Sequence, residues 1–285
     1  MTQARGDPAD DGGSSWYRDK LRGLAARYRW ARAGLSWACH LALTGAITLN
    51  AGKLRPGSVP VLINNFNRLE TLRTQVEWLL ALEADVSVLI IDNASTYPPL
   101  LDFYRSLAHP AVQVVRLGFN SCSKGAAHVA ARLRGFPRFV VTDPDLVPYP
   151  TTPRDVIPHL ADLLARYPDY NHVGLSLEID DLPVHVFRRD RIVQHESQYW
   201  SPQAVRLNDE VYVAPVDTTF AMYRDTSRVQ AFAPALRTCR PYTLKHVDWY
   251  VDPSDLSDEY RYYLRVCTPY ATWATDLKRS LARRG

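Results

Sequence analysis

From Val59 onward, short runs of apolar residues alternate with segments whose apolar positions recur at helical spacing. Val59-Pro60-Val61-Leu62-Ile63, Val86-Ser87-Val88-Leu89-Ile90-Ile91, Val112-Gln113-Val114-Val115-Arg116-Leu117 and Phe139-Val140-Val141 read as strands. Near-continuous apolar runs of this length fit strands covered on both faces, the pattern of a parallel sheet. Between them, Leu69–Leu82, Leu100–Leu107 and Lys124–Arg134 carry helical spacing. Four such alternations predict an open α/β sheet with flanking helices. Three of the strands run into polar residues: Asn64 and Asn65, Asp92 and Asn93, and Asp143 and Asp145. Ligands of open α/β sheets bind beyond the carboxyl ends of strands, so these positions form the candidate site.

Beyond residue 150 the pattern is less regular. Asp155–Tyr167 is expected to be a helix and Val173–Leu177 a strand leading into Glu178-Ile179-Asp180-Asp181. Gln194–Tyr212 is rich in Trp, Tyr, Gln and Asn, a composition suited to an acceptor surface. Val216–Tyr223 reads as a strand carrying polar residues, and Lys245–Tyr263 is dense in Tyr and Asp. The chain therefore divides into a polar leader at 1–15, expected to be disordered, and a basic helical segment at 16–55. A nucleotide-binding half at 56–150 and an acceptor half with a C-terminal tail at 151–285 follow.

Composition changes this picture little. Of 285 residues, 46% are apolar and 22% charged, enough for a sizeable core. A net charge of +4 is too small to argue for nucleic acid. The basic residues concentrate at the ends, with Arg18, Lys20, Arg22, Arg27, Arg29 and Arg32 near the start. Two readings stay open for that helix: a solvated face, or peripheral contact with an anionic membrane. Ala33–Leu49 is apolar but shorter than the roughly 20 residues a spanning helix needs. Met1–Ser15 lacks the features of a secretory signal, and the four cysteines have no metal-ligand spacing. A reduced, cytoplasmic setting is the expectation.

Asp143-Pro144-Asp145 is ordinary turn chemistry, but it stands at the end of a buried strand. Two carboxylates there suit a divalent cation that also holds phosphate oxygens. No Gly-rich dinucleotide fingerprint and no P-loop motif is present.

The order of these landmarks resembles the GT-A fold nucleotide-sugar glycosyltransferases, especially the family 2 type. Val61-Leu62-Ile63-Asn64-Asn65-Phe66-Asn67-Arg68 is similar to that family's opening strand, although Asn64 replaces its proline and Phe66 its tyrosine. Ile90-Ile91-Asp92-Asn93-Ala94-Ser95 resembles the strand end whose Asp contacts the nucleobase. Asn120–Ala130 resembles the helix start near the diphosphate, and Asp143-Pro144-Asp145 falls where the family has its DxD metal motif. The resemblance covers roughly residues 59–150 well and thins towards 265.

It implies a GT-A-like, Rossmann-like, mostly parallel sheet with an irregular C-terminal half. It also implies transfer of a sugar from a nucleoside diphosphate, with UDP expected, to a glycan, lipid-linked or small-molecule hydroxyl. Mn2+ or Mg2+ would be held by Asp143 and Asp145, with His246 closing the site. Asn64, Phe66, Arg68, Asp92, Asn120 and Lys124 are the nucleotide-side candidates. An inverting enzyme also needs a carboxylate base, and Asp217 and Asp248 are equal candidates ahead of Asp180 and Asp181. Two rival readings remain: a nucleotidyltransferase acting on sugar phosphates, disfavoured because residues 63–70 hold no glycine, and a catalytically silent carbohydrate-binding protein of the same fold.

Overall fold

The computed structural model describes residues 54–122, 124–130, 133, 136–201, 203–216, 220–224, 235–267 and 271–283. The expected leader, the basic helix, the Ala33–Leu49 run and Asp217 lie outside the described residues.

The first half follows the alternation in the sequence. β1 (Val59–Asn65), α1 (Glu70–Leu80), β2 (Val86–Asp92), α2 (Pro98–Ser106), β3 (Val112–Arg116), α3 (Lys124–Ala130) and β4 (Phe139–Thr142) succeed one another. β2 is buried at every position, as its unbroken apolar run requires. α1 turns Thr71, Leu72, Gln75, Val76 and Leu79 inward, a stripe at three- and four-residue spacing. α2 opens on Pro98 and Pro99, whose missing amide hydrogens cost nothing in a first turn.

Downstream come β5 (Leu146–Pro148), α4 (Val156–Arg166), β6 (His172–Gly174), β7 (Ser176–Leu177), α5 (Arg189–Trp200) and β8 (Val211–Val213). They are followed by β9 (Ala221–Tyr223), β10 (Ala235–Thr238), β11 (Thr243–His246), a 3-10 turn at Val247–Tyr250, α6 (Asp258–Val266) and α7 (Thr272–Ala282). The expected strand Val173–Leu177 is two strands in two different sheets, and the start of the Trp- and Tyr-rich stretch is the helix α5. Of the expected strand Val216–Tyr223, only Ala221–Tyr223 forms a strand among the described residues.

Eight strands form one sheet in the order β3-β2-β1-β4-β9-β6-β10-β8. The four strands of the first half are mutually parallel, β10 is parallel to β6, and β9 and β8 run antiparallel to their neighbours. The sheet is thus mixed and mostly parallel. β5, β11 and β7 make a second, three-stranded sheet. The order 3-2-1-4 reverses direction between β1 and β4, and such a reversal opens a crevice at the carboxyl ends of the two strands. Register sets the ends level, because Asn65 pairs with Asp92 and Ile63 with Thr142.

Two buried polar features lock the second half. Arg237 on β10 (3% exposed) is ion-paired with Glu196 on α5 (1% exposed) and donates to the Pro215 carbonyl. Burial pushes the Glu196 carboxyl up, and Arg237 opposes that shift. His172 stacks on Tyr223 at 4.6 Å, and Tyr223 stacks on Phe139 at 5.5 Å, across three adjacent strands. His172 is fully buried and neither ring nitrogen has a partner among the described residues. Burial lowers its pKa to about 4 from an ordinary 6.5.

Between those two values the unfolded chain binds a proton that the folded chain does not. Stability therefore rises with pH across this window, by about 1.4 kcal/mol per unit at most. In melting curves at low pH, His172→Phe is expected to flatten the loss of stability between pH 6.5 and 4. An unchanged slope would assign that loss to other groups.

Candidate active site

The carboxyl ends of β1, β2 and β4 each finish in a polar turn, and the first two turns are hydrogen-bonded to each other. After β1, Asn67 takes a left-handed conformation (φ 54°), which asparagine tolerates better than most residues. Its side-chain oxygen accepts from the amides of Thr96 and Tyr97 at 2.7 and 2.8 Å, holding the loop that leads into α2. Asn93 donates to Asn64 at 2.8 Å and accepts from the Ser121 hydroxyl at 2.7 Å. This ties the end of β2 to the turn before α3. A Cβ at Gly125 would stand 3.1 Å from Ile91 and 2.8 Å from the Ser121 hydroxyl. A hydrogen there lets the first turn of α3 press on β2.

Asp92 is fully buried and serves as the hub of the β2 end. Its carboxylate accepts from the Ser95 amide, the Tyr104 hydroxyl and Arg116, all at 3.2 to 3.3 Å. Asn65 donates to the same Tyr104 hydroxyl at 2.7 Å, giving a relay from Asn65 through Tyr104 to Asp92. Burial, and then the Asp92 charge, hold the Tyr104 hydroxyl well above its usual range. Asn120 sits half-buried and accepts from the Cys122 amide at 2.8 Å. Phe66 meets Tyr263 edge-on at 6.3 Å. Lys124 starts α3, and its side chain is outside the description.

The β4 end is held by a residue the sequence reading missed. Gln75, fully buried on α1, donates from one amide nitrogen towards Thr142 Oγ1, the Asp143 carbonyl and the Leu146 carbonyl, at 3.2, 3.0 and 2.9 Å. It spans the Asp143-Pro144-Asp145 turn from below. Its trace in the sequence is a lone amide in the apolar stripe of α1.

Asp145 and His246 come together here. β5 and β11 pair antiparallel with Leu146 opposite His246, and the Val247 amide donates to the Asp145 carbonyl at 2.8 Å. His246 Nε2 lies 3.8 Å from Asp145 Oδ2, and the imidazole stacks on Trp249 at 4.8 Å. Both side chains are about four-fifths or more buried, yet Asp145 Oδ1 and His246 Nδ1 have no hydrogen-bond partner among the described residues. Asp143 is half-buried nearby, but among the described residues no group of three or more His, Cys, Asp or Glu side chains forms a metal site.

Asp248, on the 3-10 turn after His246, is paired with Arg68 at 2.6 Å, with side chains 8% and 6% exposed. Burial raises the Asp248 carboxyl pKa, against the pull of Arg68. For Arg68 burial acts downward, and the Asp248 and Asp145 carboxylates outweigh it and raise the pKa. Asp180 and Asp181 lie in a different cluster: Asp180 pairs with Arg240, and Asp181 accepts from the Tyr149 and Tyr250 hydroxyls.

No family model and no curated protein matches the chain. Among solved structures it is similar to a mannosyltransferase, PcManGT from Pyrobaculum calidifontis, in complex with GDP-Man and Mn2+. Identity there is 14%, over 93% of this chain and 88% of the other, with a TM-score of 0.43. S. aureus TarS 1-349 in complex with UDP-GlcNAc aligns at 13% identity over 73% and 66% of the two chains, with a TM-score of 0.44. Glucosyl-3-phosphoglycerate synthase from Mycobacterium tuberculosis, with Mn2+, UDP-Glc and phosphoglyceric acid, aligns at 14% over 61% and 59%, with a TM-score of 0.36. At these TM-scores the likeness carries no weight for function, which has to rest on the chain's own residues. Among the described residues no helix is long and apolar enough to cross a membrane.

Gln75→Leu removes the amide donor shared by the Thr142 hydroxyl and the Asp143 and Leu146 carbonyls, of which the Leu146 carbonyl is buried and the Asp143 carbonyl keeps the Thr142 hydroxyl. The expected cost is about 1–3 kcal/mol in denaturant unfolding. A variant as stable as the parent would mean that the turn does not depend on Gln75.

Proposed function

We propose that the chain is a metal-dependent glycosyltransferase moving a sugar from a nucleoside diphosphate, with UDP expected, to an acceptor hydroxyl with inversion. The observation that carries this reading is the pairing of Asp145 with His246 at the point where the sheet reverses direction. Each holds a buried donor atom that nothing among the described residues satisfies. Buried polar atoms in folded proteins are normally partnered, so two orphans on adjacent side chains point to a missing ligand. An oxygen and an imidazole nitrogen fit Mn2+ better than the oxygen-seeking Mg2+, which the carboxylates alone would hold, when diphosphate oxygens and water complete the shell, with Asp143 two residues from Asp145. When bound, the cation would neutralise charge on the departing diphosphate.

The neighbouring strand end supports the nucleotide side. Asp92, backed by Tyr104 and Asn65, offers a carboxylate to the imide N–H of a uracil, with Asn64 and Phe66 beside it. Asn120 and Lys124 stand at the turn and helix start next to β2, where backbone amides favour phosphate.

In the transfer the acceptor oxygen forms a bond to the anomeric carbon as the bond from that carbon to the diphosphate oxygen breaks. The electron pair leaves with the diphosphate. The acceptor proton goes to a carboxylate, and we assign that role to Asp248. Arg68 engages its Oδ1, and Oδ2 is assigned to the acceptor. Asp217 is the rival base.

The reading is tested by incubation with a panel of sugar nucleotides and Mn2+, following donor hydrolysis, and by melting with UDP and Mn2+. Saturating ligand is expected to raise the melting temperature by roughly 2–4 °C per kcal/mol of binding linkage. Asp145→Asn is expected to abolish the metal-dependent part of that rise. No shift in the parent protein, or an unchanged shift in the variant, would contradict the metal assignment. Asp248→Asn is expected to slow turnover by about 10²–10⁴-fold. A loss of that size from Asp217→Asn alone would transfer the base role to Asp217.

A further inference from the structure

We infer that Arg68 is a positioning residue for Asp248 and not a contact to the donor's diphosphate. The inference rests on the glycosyl-transfer reading and reassigns one of its expected nucleotide contacts. A guanidinium that binds phosphate needs an open N–H edge and surplus positive charge. Arg68 has neither. Nη1 donates to Asp248 at 2.6 Å, and Nε, without a hydrogen bond among the described residues, lies in ion-pair range of a Glu259 oxygen at 3.4 Å. The rings of Tyr260 and Tyr263 each lie 5.2 Å from the guanidinium carbon. One cation against two buried carboxylates leaves a local excess of negative charge, which repels a diphosphate.

The same set of contacts explains how Asp248 is aimed. The second oxygen of Glu259 accepts from the Leu69 and Glu70 amides at 2.8 and 3.0 Å. It caps α1, which has no capping side chain of its own. α6 supplies Glu259, Tyr260 and Tyr263 together, and its own start is capped by Ser257, whose hydroxyl accepts from the Tyr260 amide at 3.2 Å. Arg68 leaves β1 into this cage, so its position is fixed before it reaches Asp248. The 3-10 turn behind Asp248 is short, and the Arg68 pair is the contact that fixes the carboxylate's orientation. A misplacement of about 1 Å in a reacting group can cost about 10²-fold in rate.

The test separates binding from turnover on the donor that the sugar-nucleotide panel identifies. If the parent protein binds no UDP with Mn2+ and hydrolyses no donor, the glycosyl-transfer reading itself fails. Given an active parent, Arg68→Gln and Arg68→Lys are each expected to lower kcat by about 10–100-fold. UDP affinity by calorimetry and donor KM should stay within about twofold of the parent. A tenfold loss of UDP affinity with kcat preserved would make Arg68 a phosphate contact and overturn the inference. Should Arg68→Gln not fold, Arg68→Lys carries the comparison, because it keeps the charge and loses the fork. In an Asp248→Asn background, Arg68→Lys is expected to have no further effect on kcat. Additive losses would overturn the inference as well.

Discussion

The Arg68 guanidinium is buried, three residues past the end of β1, and a cation there has to be neutralised away from water. Two carboxylates do this, from two elements distant in sequence: Asp248 on the turn after β11, and Glu259 on α6. Removing one partner of such a buried pair typically costs about 3–5 kcal/mol, because the remaining charge is left unpaired. That penalty holds the exit of β1, the start of α1, the 3-10 turn and α6 in one arrangement. His246 ends β11 immediately before the turn that bears Asp248, so the charge constraint reaches the Asp145 side of the crevice. A second, neutral clamp works from below, where Gln75 holds the oxygens of the β4 turn.

These clamps divide the crevice into two chemically different ends. At the β2 end the polar groups bond mainly to one another: Asn65 Nδ2, Tyr104 and Asp92 form a relay, and Asn93 bridges Asn64 and Ser121, while Asn65 Oδ1 has no partner among the described residues. At the β4 end Asp145 and His246 keep unsatisfied donor atoms. A preorganised hydrogen-bonded end suits recognition of a planar base. An end with unmet valences suits a charged group and its counter-ion. The arrangement needs both on one sheet edge, and the level register of β1, β2 and β4 provides it.

The first half of this arrangement was legible in the sequence because its central strands β1 and β2 are buried almost throughout. Val86–Asp92 can hardly be anything but a central strand, and the polar residues that close it mark its carboxyl end. Asp145 and His246 were also visible, as a turn carboxylate and an imidazole in the distal half, although their approach depends on β5–β11 pairing that short three- and four-residue strands do not announce. Gln75 and Glu259 were not visible as site residues. Each is a polar residue on a helix, and only tertiary packing shows that one faces the sheet and the other reaches a distant helix start. Arg68 was visible as a charge at a strand end, but its two acidic partners lie 180 and about 190 residues away. The split of Val173–Leu177 between two sheets was hidden for a similar reason: a continuous apolar run records burial and not a change of partner.

Pulsed electron paramagnetic resonance of Mn2+ bound with UDP tests the Asp145–His246 pairing most directly. Nitrogen modulation from a coordinated imidazole is expected in the parent protein and should vanish in His246→Gln, with manganese still held through Asp145 and the diphosphate. Bound manganese with no nitrogen coupling in the parent, or coupling that survives in the variant, would place the metal away from His246 and contradict the site described for this crevice.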